Sequence, residues 1–387
     1  MDQVRIGIVG LGSMGTQHGK YLAGGEIRGA IIAAVCDMRE ERLQWAKQSW
    51  GEHIHTFTTL EAMIDSGEVD AVFVATPHYD HPDAAIRSLQ KGMHVLIEKP
   101  AGVYTKQVRL MNEAAKKSGK VFSIMYNQRT NPLYQKLKEL ISSGELGEVR
   151  RTNWIITNWY RSQSYYDSAG WRATWAGEGG GVLINQDPHQ LDLWQWTIGM
   201  MPARIRAFCY FGKHRNIEVE DEVTAYVEYP NGATGLFVTT TGEAPGTNRF
   251  EIAGDRGKIV IEDDQLTFWR LRVPESEFNR TYTGGFGSPE CWKCEIPIHG
   301  NHPGHRGITQ NFVDAILKGT ELIAPGEEGI LGLTLSNAML LSTWTDSWID
   351  LPLDEDLFYE QLQDRIRGSR FTKQAAPDQL LNTEGTH

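Results

Sequence analysis

The chain has 387 residues, 40% of them apolar and 22% charged, a globular composition long enough for two domains or three. Its formal net charge of −11 argues against a nucleic-acid or membrane-surface partner, because an acidic chain repels phosphate backbones and anionic lipid. No run approaches the roughly 18 apolar residues that cross a bilayer. The first residues lack the basic and apolar regions of a signal peptide, and four cysteines are too few to staple such a chain, so a reduced, cytoplasmic protein is expected.

The first third alternates short apolar runs with helical segments. Strands are expected at 4–9, 29–36, 70–75, 94–97 and 121–125, with helices at 13–23, 40–50, 81–91 and 105–118 between them. Near-continuous apolar strands separated by helices indicate a parallel sheet covered on both faces, the doubly wound α/β arrangement. The pattern changes after about residue 145. A long β-like run covers 150–159, residues 222–229 alternate with period 2, and Asn231-Gly232 is a hairpin-turn signal before a return strand at 233–241. A further turn at 254–257 joins two more short strands. The second part therefore reads as a mostly antiparallel sheet with one wet face, with helices near 187–198, 306–318 and 329–347. The division expected is 1–128, 129–370 and a polar tail over 371–387, with a ligand in the cleft between the two large units.

The first strand runs into Gly10-Leu11-Gly12-Ser13-Met14-Gly15. A G-x-G-x-x-G that follows a strand and opens a helix is the context required of a dinucleotide loop. Gly10 permits the tight turn, a side chain at Gly12 would block a pyrophosphate, Gly15 allows close helix–strand packing, and the helix N-terminus favours an anion. Asp37 ends the second strand, where an acid accepts from a ribose 2′-hydroxyl and repels a 2′-phosphate. That favours NAD over NADP, with Arg39 close by as the residue that could offset it.

Glu98-Lys99-Pro100 follows the strand at 94–97, at the sheet edge where ligands of open α/β folds sit. A lysine there can contact nicotinamide and substrate together and favours the alkoxide-like form of an alcohol. A second constellation is Gly179-Gly180-Gly181, followed by Asn185, Asp187, His189 and Asp192 at the start of a helix. His189 is the natural general base, Asp187 suits an N-cap or first-turn acid, and Asp192 at i+3 could orient the imidazole. Before it, Trp171 and Arg172 lie in an aromatic, polar segment suited to lining a sugar, though the chain's 12 tryptophans also serve cores. Cys291-x-x-Cys294 falls in a strand or loop, without the helix of a redox motif or the second pair of a zinc site. His302 and His305 are loop histidines within reach of the cleft, at a spacing that matches no metal motif; no metal is expected.

Taken together, Gly10-x-Gly12-x-x-Gly15, Thr76-Pro77…His81-Pro82, Glu98-Lys99-Pro100 and Gly179-Gly180-Gly181…His189-x-x-Asp192 resemble the glucose–fructose oxidoreductase / inositol dehydrogenase / rhizopine-catabolism (Gfo/Idh/MocA) family, to about residue 350. The resemblance implies a Rossmann domain followed by an open-faced β-sheet domain, and NAD(P)-dependent oxidation or reduction of a sugar, glycoside, inositol or similar secondary alcohol. It implies homodimers or homotetramers formed through the outer face of that sheet. Carried over, Lys99 and His189 are the catalytic pair and Asp37 the ribose-binding acid. Thr76 and Glu98 line the cofactor, and Ser13, Met14 and His81 complete the cofactor set. One departure stands out. Asn185 occupies the position, four residues before the histidine, where these dehydrogenases often carry aspartate. Asparagine cannot relay a proton but can still bond a substrate hydroxyl, and Asp187 could supply the missing charge. An NAD-using glycosidase or glycoside 3-dehydrogenase with recycled cofactor, and a non-catalytic NAD(H)-sensing regulator, are the alternatives. Retention of Lys99 and His189 speaks against the last.

Overall fold

The computed structural model describes residues 2–373. Six parallel strands, β1 (Val4–Val9), β2 (Ala30–Cys36), β3 (His55–Phe57), β4 (Ala71–Val74), β5 (His94–Ile97) and β6 (Phe122–Ile124), form the first sheet in the order 3-2-1-4-5-6. This is the doubly wound dinucleotide-binding topology. β1, β4 and β5 carry almost uninterrupted buried residues, as a sheet covered on both faces requires. The edge strand β3 and the helix Leu60–Asp65 after it were not foreseen; three residues are too short to show a period.

The second sheet has nine strands: β7 (Val149–Ile156), β8 (Arg204–Phe211), β9 (Glu220–Glu228), β10 (Thr234–Thr240), β11 (Asn248–Gly254), β12 (Gly257–Glu262), β13 (Gln265–Leu271), β14 (Cys291–Ile296) and β15 (Ile349–Asp350). Their order is 14-13-12-11-7-10-9-8-15, antiparallel except where β7 pairs with β10. One face buries Trp154 stacked on Phe250 at 4.2 Å and Trp194 on Phe237 at 5.3 Å. The Trp194 indole donates to Thr152 Oγ1, so its polar edge is satisfied in the core. The opposite face leaves Phe208, Tyr210, Tyr226, Trp269 and Trp292 exposed.

The expected helices of the second part occur as Pro188–Ile198, Gly304–Lys318 and Gly329–Thr345. The last two also return to the first sheet. Ile124 N–H donates to the Ala324 carbonyl, Thr309 Oγ1 lies 2.7 Å from the Tyr21 hydroxyl, and Asn337 bonds Thr105 N–H and the Val103 carbonyl. The two sheets are thereby held against one another, and the carboxyl ends of β1, β4 and β5 face the segment 160–190. Cys291 and Cys294 sit on the edge strand β14 as free thiols. Of the tail foreseen at 371–387, residues beyond 373 lie outside the described part.

Candidate active site

The glycine loop shows which glycines the protein itself needs. Gly10 has φ of 89°, and a Cβ there would stand 2.7 Å from the Ala75 carbonyl oxygen. At Gly15 a Cβ would stand 1.8 Å from the Gly10 carbonyl oxygen, so strand and helix could not approach. Gly12 is different: a Cβ would meet nothing within 4 Å. Its backbone borders open space at the uncapped N-terminus of the helix Ser13–Ala23, whose first amides, those of Ser13 and Met14 among them, have no helical acceptor. Asp37 closes the other side. Its Oδ2 accepts from Leu11 N–H at 2.8 Å, and its Oδ1 from the Arg39 backbone and Nε, so Arg39 is drawn back onto Asp37. Thr76 Oγ1, after β4, is buried with no hydrogen-bond partner among the described residues. A cradle that a side chain at Gly12 would fill, a donor-rich helix start, an acid at the ribose position and an unsatisfied hydroxyl fit a dinucleotide.

His81 works on the scaffold. Its ring nitrogens lie 2.8 and 2.7 Å from the carbonyl oxygens of Thr76 and Pro100, which ties the loop after β4 to the loop after β5. Glu98, also buried, accepts from Lys99 N–H and, at 2.6 Å, from His18 Nε2. Burial is the largest influence and opposes its charge, but His18, His305 and Lys99 together outweigh it and hold the pKa down at about 2. His18 Nδ1 lies 2.7 Å from the Tyr21 hydroxyl, which in turn lies 2.7 Å from Thr309 Oγ1. His18, which sequence reasoning passed over, thus anchors Glu98 to the helix of the glycine loop. His305 packs beside it, with ring centroids 5.7 Å apart, behind Glu98, and His302 Nε2 lies 3.4 Å from the Asn127 carbonyl.

Lys99 reaches from the end of β5 to the second constellation: its ammonium donates to the Asn185 carbonyl at 2.8 Å. Asn185 ends the short helix Val182–Asn185, and His189 stands in the first turn of Pro188–Ile198, its ring edge-on to Tyr126 at 6.1 Å. Burial lowers the Lys99 pKa, with Glu98 and Glu178 pulling the other way. The glycine triplet that precedes this turn serves protein packing. A Cβ at Gly179 would strike Val103, and one at Gly181 would strike the Glu220 carbonyl oxygen. Glu220 Oε1 accepts the N–H groups of Gly181 and Leu183, capping the helix from a neighbouring strand.

Glu178 was not foreseen, yet it is the carboxylate of this cluster. It is 1% exposed, accepts Ala173 N–H at 2.5 Å and the Asn185 side-chain N–H, and lies 3.9 Å from Arg172. Its pKa is raised by burial, against the pull of Arg172, Ala173 N–H and Asn185. Tyr165, also unforeseen, receives Arg172 at 2.6 Å, Gln186 at 3.1 Å and Asn185 at 3.2 Å on its hydroxyl. Arg172 lies over the rings of Tyr165 and Trp171, and Trp171 stands edge-on to His78. The whole segment is fastened from behind by Lys373, whose ammonium donates to the carbonyls of Tyr166, Ala169 and Arg172 at 2.5–2.7 Å.

Two expected roles go to other residues. Asp187 is the positional N-cap of Pro188–Ile198 but makes no side-chain cap bond. It is fully buried towards Thr239 and Trp159, and burial, opposed by those two groups, raises its pKa well above the ordinary aspartate value. The carboxyl group that meets the Asn185 side chain is that of Glu178. Asp192, expected to orient His189, pairs with Arg129 through two bonds of 2.6 and 2.8 Å, both side chains 1% exposed. A buried guanidinium needs a carboxylate more than an imidazole at the helix start does.

The sequence signature of the oxidoreductase family with an NAD-binding Rossmann fold matches residues 4–126, and that of the Gfo/Idh/MocA C-terminal domain matches 134–260. The chain belongs to the Gfo/Idh/MocA oxidoreductase family. Among known proteins it is 24% identical to levoglucosan dehydrogenase of Pseudarthrobacter phenanthrenivorans, over 91% of this chain and 99% of that protein. It is 23% identical to inositol 2-dehydrogenase of Rhizobium meliloti, over 88% and 96%. The WlbA dehydrogenase from Bordetella pertussis, solved with NADH and UDP-GlcNAcA, superposes with a TM-score of 0.76 at 26% identity, covering 91% of this chain and 100% of that one. The Gfo/Idh/MocA chain described here is thus an NAD-binding oxidoreductase.

Proposed function

We propose that this oxidoreductase is an NAD-dependent dehydrogenase acting on a secondary alcohol of a sugar, glycoside or inositol, with Lys99 and His189 as its catalytic pair. The observation that carries the reading is the bond from Lys99 Nζ to the Asn185 carbonyl, which joins the carboxyl edge of the Rossmann sheet to the turn that carries His189. Bound NAD supplies the hydride acceptor. Gly12, Ser13, Met14 and Asp37 hold the dinucleotide, with Thr76 and Glu98 at the deeper end. An ammonium has three donors; one is given to Asn185, and those remaining point to the reacting oxygen. His189 takes the hydroxyl proton on its imidazole nitrogen, since its ordinary pKa lies near neutrality. Trp171 and Arg172 offer an apolar face and a donor to the ring of the substrate. The Asn185 side-chain N–H groups are spent on Glu178 and Tyr165, which leaves its amide oxygen to accept a substrate hydroxyl.

The exposed aromatic face of the second sheet supports a homodimer or homotetramer, since an apolar patch of this kind marks an association surface. Four free thiols support a cytoplasmic setting. The deciding experiment follows NADH absorbance with inositols, aldoses and glycosides, beside Lys99→Ala and His189→Ala. Each variant should lose about 10²–10⁴-fold in turnover while still binding NADH. Wild-type turnover in both would overturn the assignment.

A further inference from the structure

Beside the site, a cleft of about 510 Å³ opens between the segment after β7 and the loop joining β8 to β9, lined by Tyr160, Ser162, Gln163 and residues 212–216. It is shallow and open to solvent, so it suits one end of a ligand that reaches out from the site. The loop is built with care for its backbone. The buried carboxylate of Asp221 accepts the N–H groups of Lys213, His214 and Arg215 in succession, at 2.7–3.1 Å, which holds three cationic or titratable side chains in a row. Gln163 clamps the far end by exchanging two bonds with the Asn216 backbone, and also reaches Asp167.

The Asp221 carboxylate is engaged by backbone N–H groups, not by the side chains of the loop. Lys213 and His214 share a single carboxylate, Glu222. The Arg215 guanidinium donates to the carbonyls of Arg161 and His214 and lies 5.1 Å over the exposed ring of Tyr160. Arg161 donates to the Tyr160 carbonyl and stacks between Trp159 and Tyr165. Among the described residues neither guanidinium has a carboxylate partner. Arg215 therefore lines the cleft with no carboxylate on its guanidinium among the described residues, beside Lys213 and His214, and such a group suits an anion. The cleft also adjoins the reacting centre. Arg161 contacts the ring of Tyr165, whose hydroxyl is bonded to Asn185, and its charge is felt at Lys99.

We propose that this cleft is a subsite for a carboxylate or phosphate carried by the substrate away from the oxidised carbon, with Arg215 as its cation, Lys213 beside it and Tyr160 as a platform for the attached ring. The substrate is then an anionic sugar, a sugar acid or a sugar phosphate free or within a nucleotide sugar, in preference to a neutral polyol. The proposal rests on the dehydrogenase reading for its location, and its test is chosen to separate the two.

The full chain is first titrated with NADH by calorimetry, then, saturated with NADH, with glucose, D-glucuronate, glucose 1-phosphate and UDP-glucose. At least one anionic probe should bind about 10- to 100-fold tighter than glucose, the range expected of charge-assisted bonds, and less so as salt is raised. The preferred probe identifies the anion as carboxylate or phosphate. Arg215→Gln keeps donors and removes charge, and should erase the preference; Arg215→Lys should keep most of it. Melting temperatures near that of the wild type establish that both variants are folded. NADH binding without any anion preference, or a preference that survives in Arg215→Gln, overturns the subsite alone. Failure to bind NADH overturns the dinucleotide reading instead.

Discussion

The side-chain N–H of Asn185 donates to the carboxylate of Glu178, two residues seven apart in sequence that meet beneath Lys99. The pair places one carboxyl group in the cluster, and with Tyr165 it takes the donations of the Asn185 side-chain nitrogen.

Asn185→Asp would set two carboxylates in contact at a buried position, and like charges at that distance cannot both ionise. It should lower kcat/KM by about tenfold or more, whereas adding Glu178→Gln to it should recover most of the loss by moving the charge from one side chain to the other. Steady-state kinetics of the two single variants and the double variant check this; losses that simply add would show that the two positions act independently.

Gly12 and Gly15 separate ligand from scaffold. Gly12→Val should leave the melting temperature of the free protein nearly unchanged, because nothing in the protein lies within 4 Å of the added carbon, and should weaken NADH binding by roughly tenfold or more. Gly15→Ala should act in the opposite order, lowering the melting temperature first, since its Cβ would stand 1.8 Å from a carbonyl oxygen. Thermal melts with and without NADH distinguish the two.

Asp192 is a stability residue on this geometry. Asp192→Asn removes the bidentate partner of the buried Arg129 and leaves Glu328 as its remaining carboxylate, and should cost about 1–3 kcal/mol, less than a wholly uncompensated buried charge. Denaturant unfolding measures the loss. If instead stability is unchanged and only the pH profile of turnover moves, Asp192 acts on His189.

Glu220 gives a pH signature. Its pKa is raised by burial from 4.5 to about 7, against the N–H groups of Gly181 and Leu183 that pull it down. The folded state then holds a proton that the unfolded state releases near pH 4.5, so this group's contribution is fully present below that pH and is lost as pH rises towards 7, by about 3 kcal/mol. Glu220→Gln cannot ionise, so between pH 5 and pH 8 it should lose less stability than the wild type does. Unfolding curves at the two pH values read the difference.

Much of this architecture was legible because it is local. A glycine loop between a strand and a helix, Asp37 at the next strand end and Lys99 at another carry their context within a few residues, and the topology places them on one edge. What could not be read depends on contacts across the chain. Glu178 stands immediately before the glycine triplet, but only the fold shows that it meets Asn185 and Ala173. Asp192 has the spacing to serve His189, yet Arg129, 63 residues earlier, claims it. Asp187 sits next to the right residues in sequence and turns to the wrong sheet. His18 is one buried histidine on a helix, and nothing nearby in sequence announces Glu98 as its partner.

Lys373 fastens three carbonyls of the segment that carries Tyr165 and Arg172. The geometry of the pocket therefore depends on a residue near the far end of the chain, beyond both family-matched regions. Proteolytic trimming after Arg370, or an affinity tag fused close behind Lys373, would loosen the wall of the pocket while leaving both sheets intact. Handles for purification belong at the amino end.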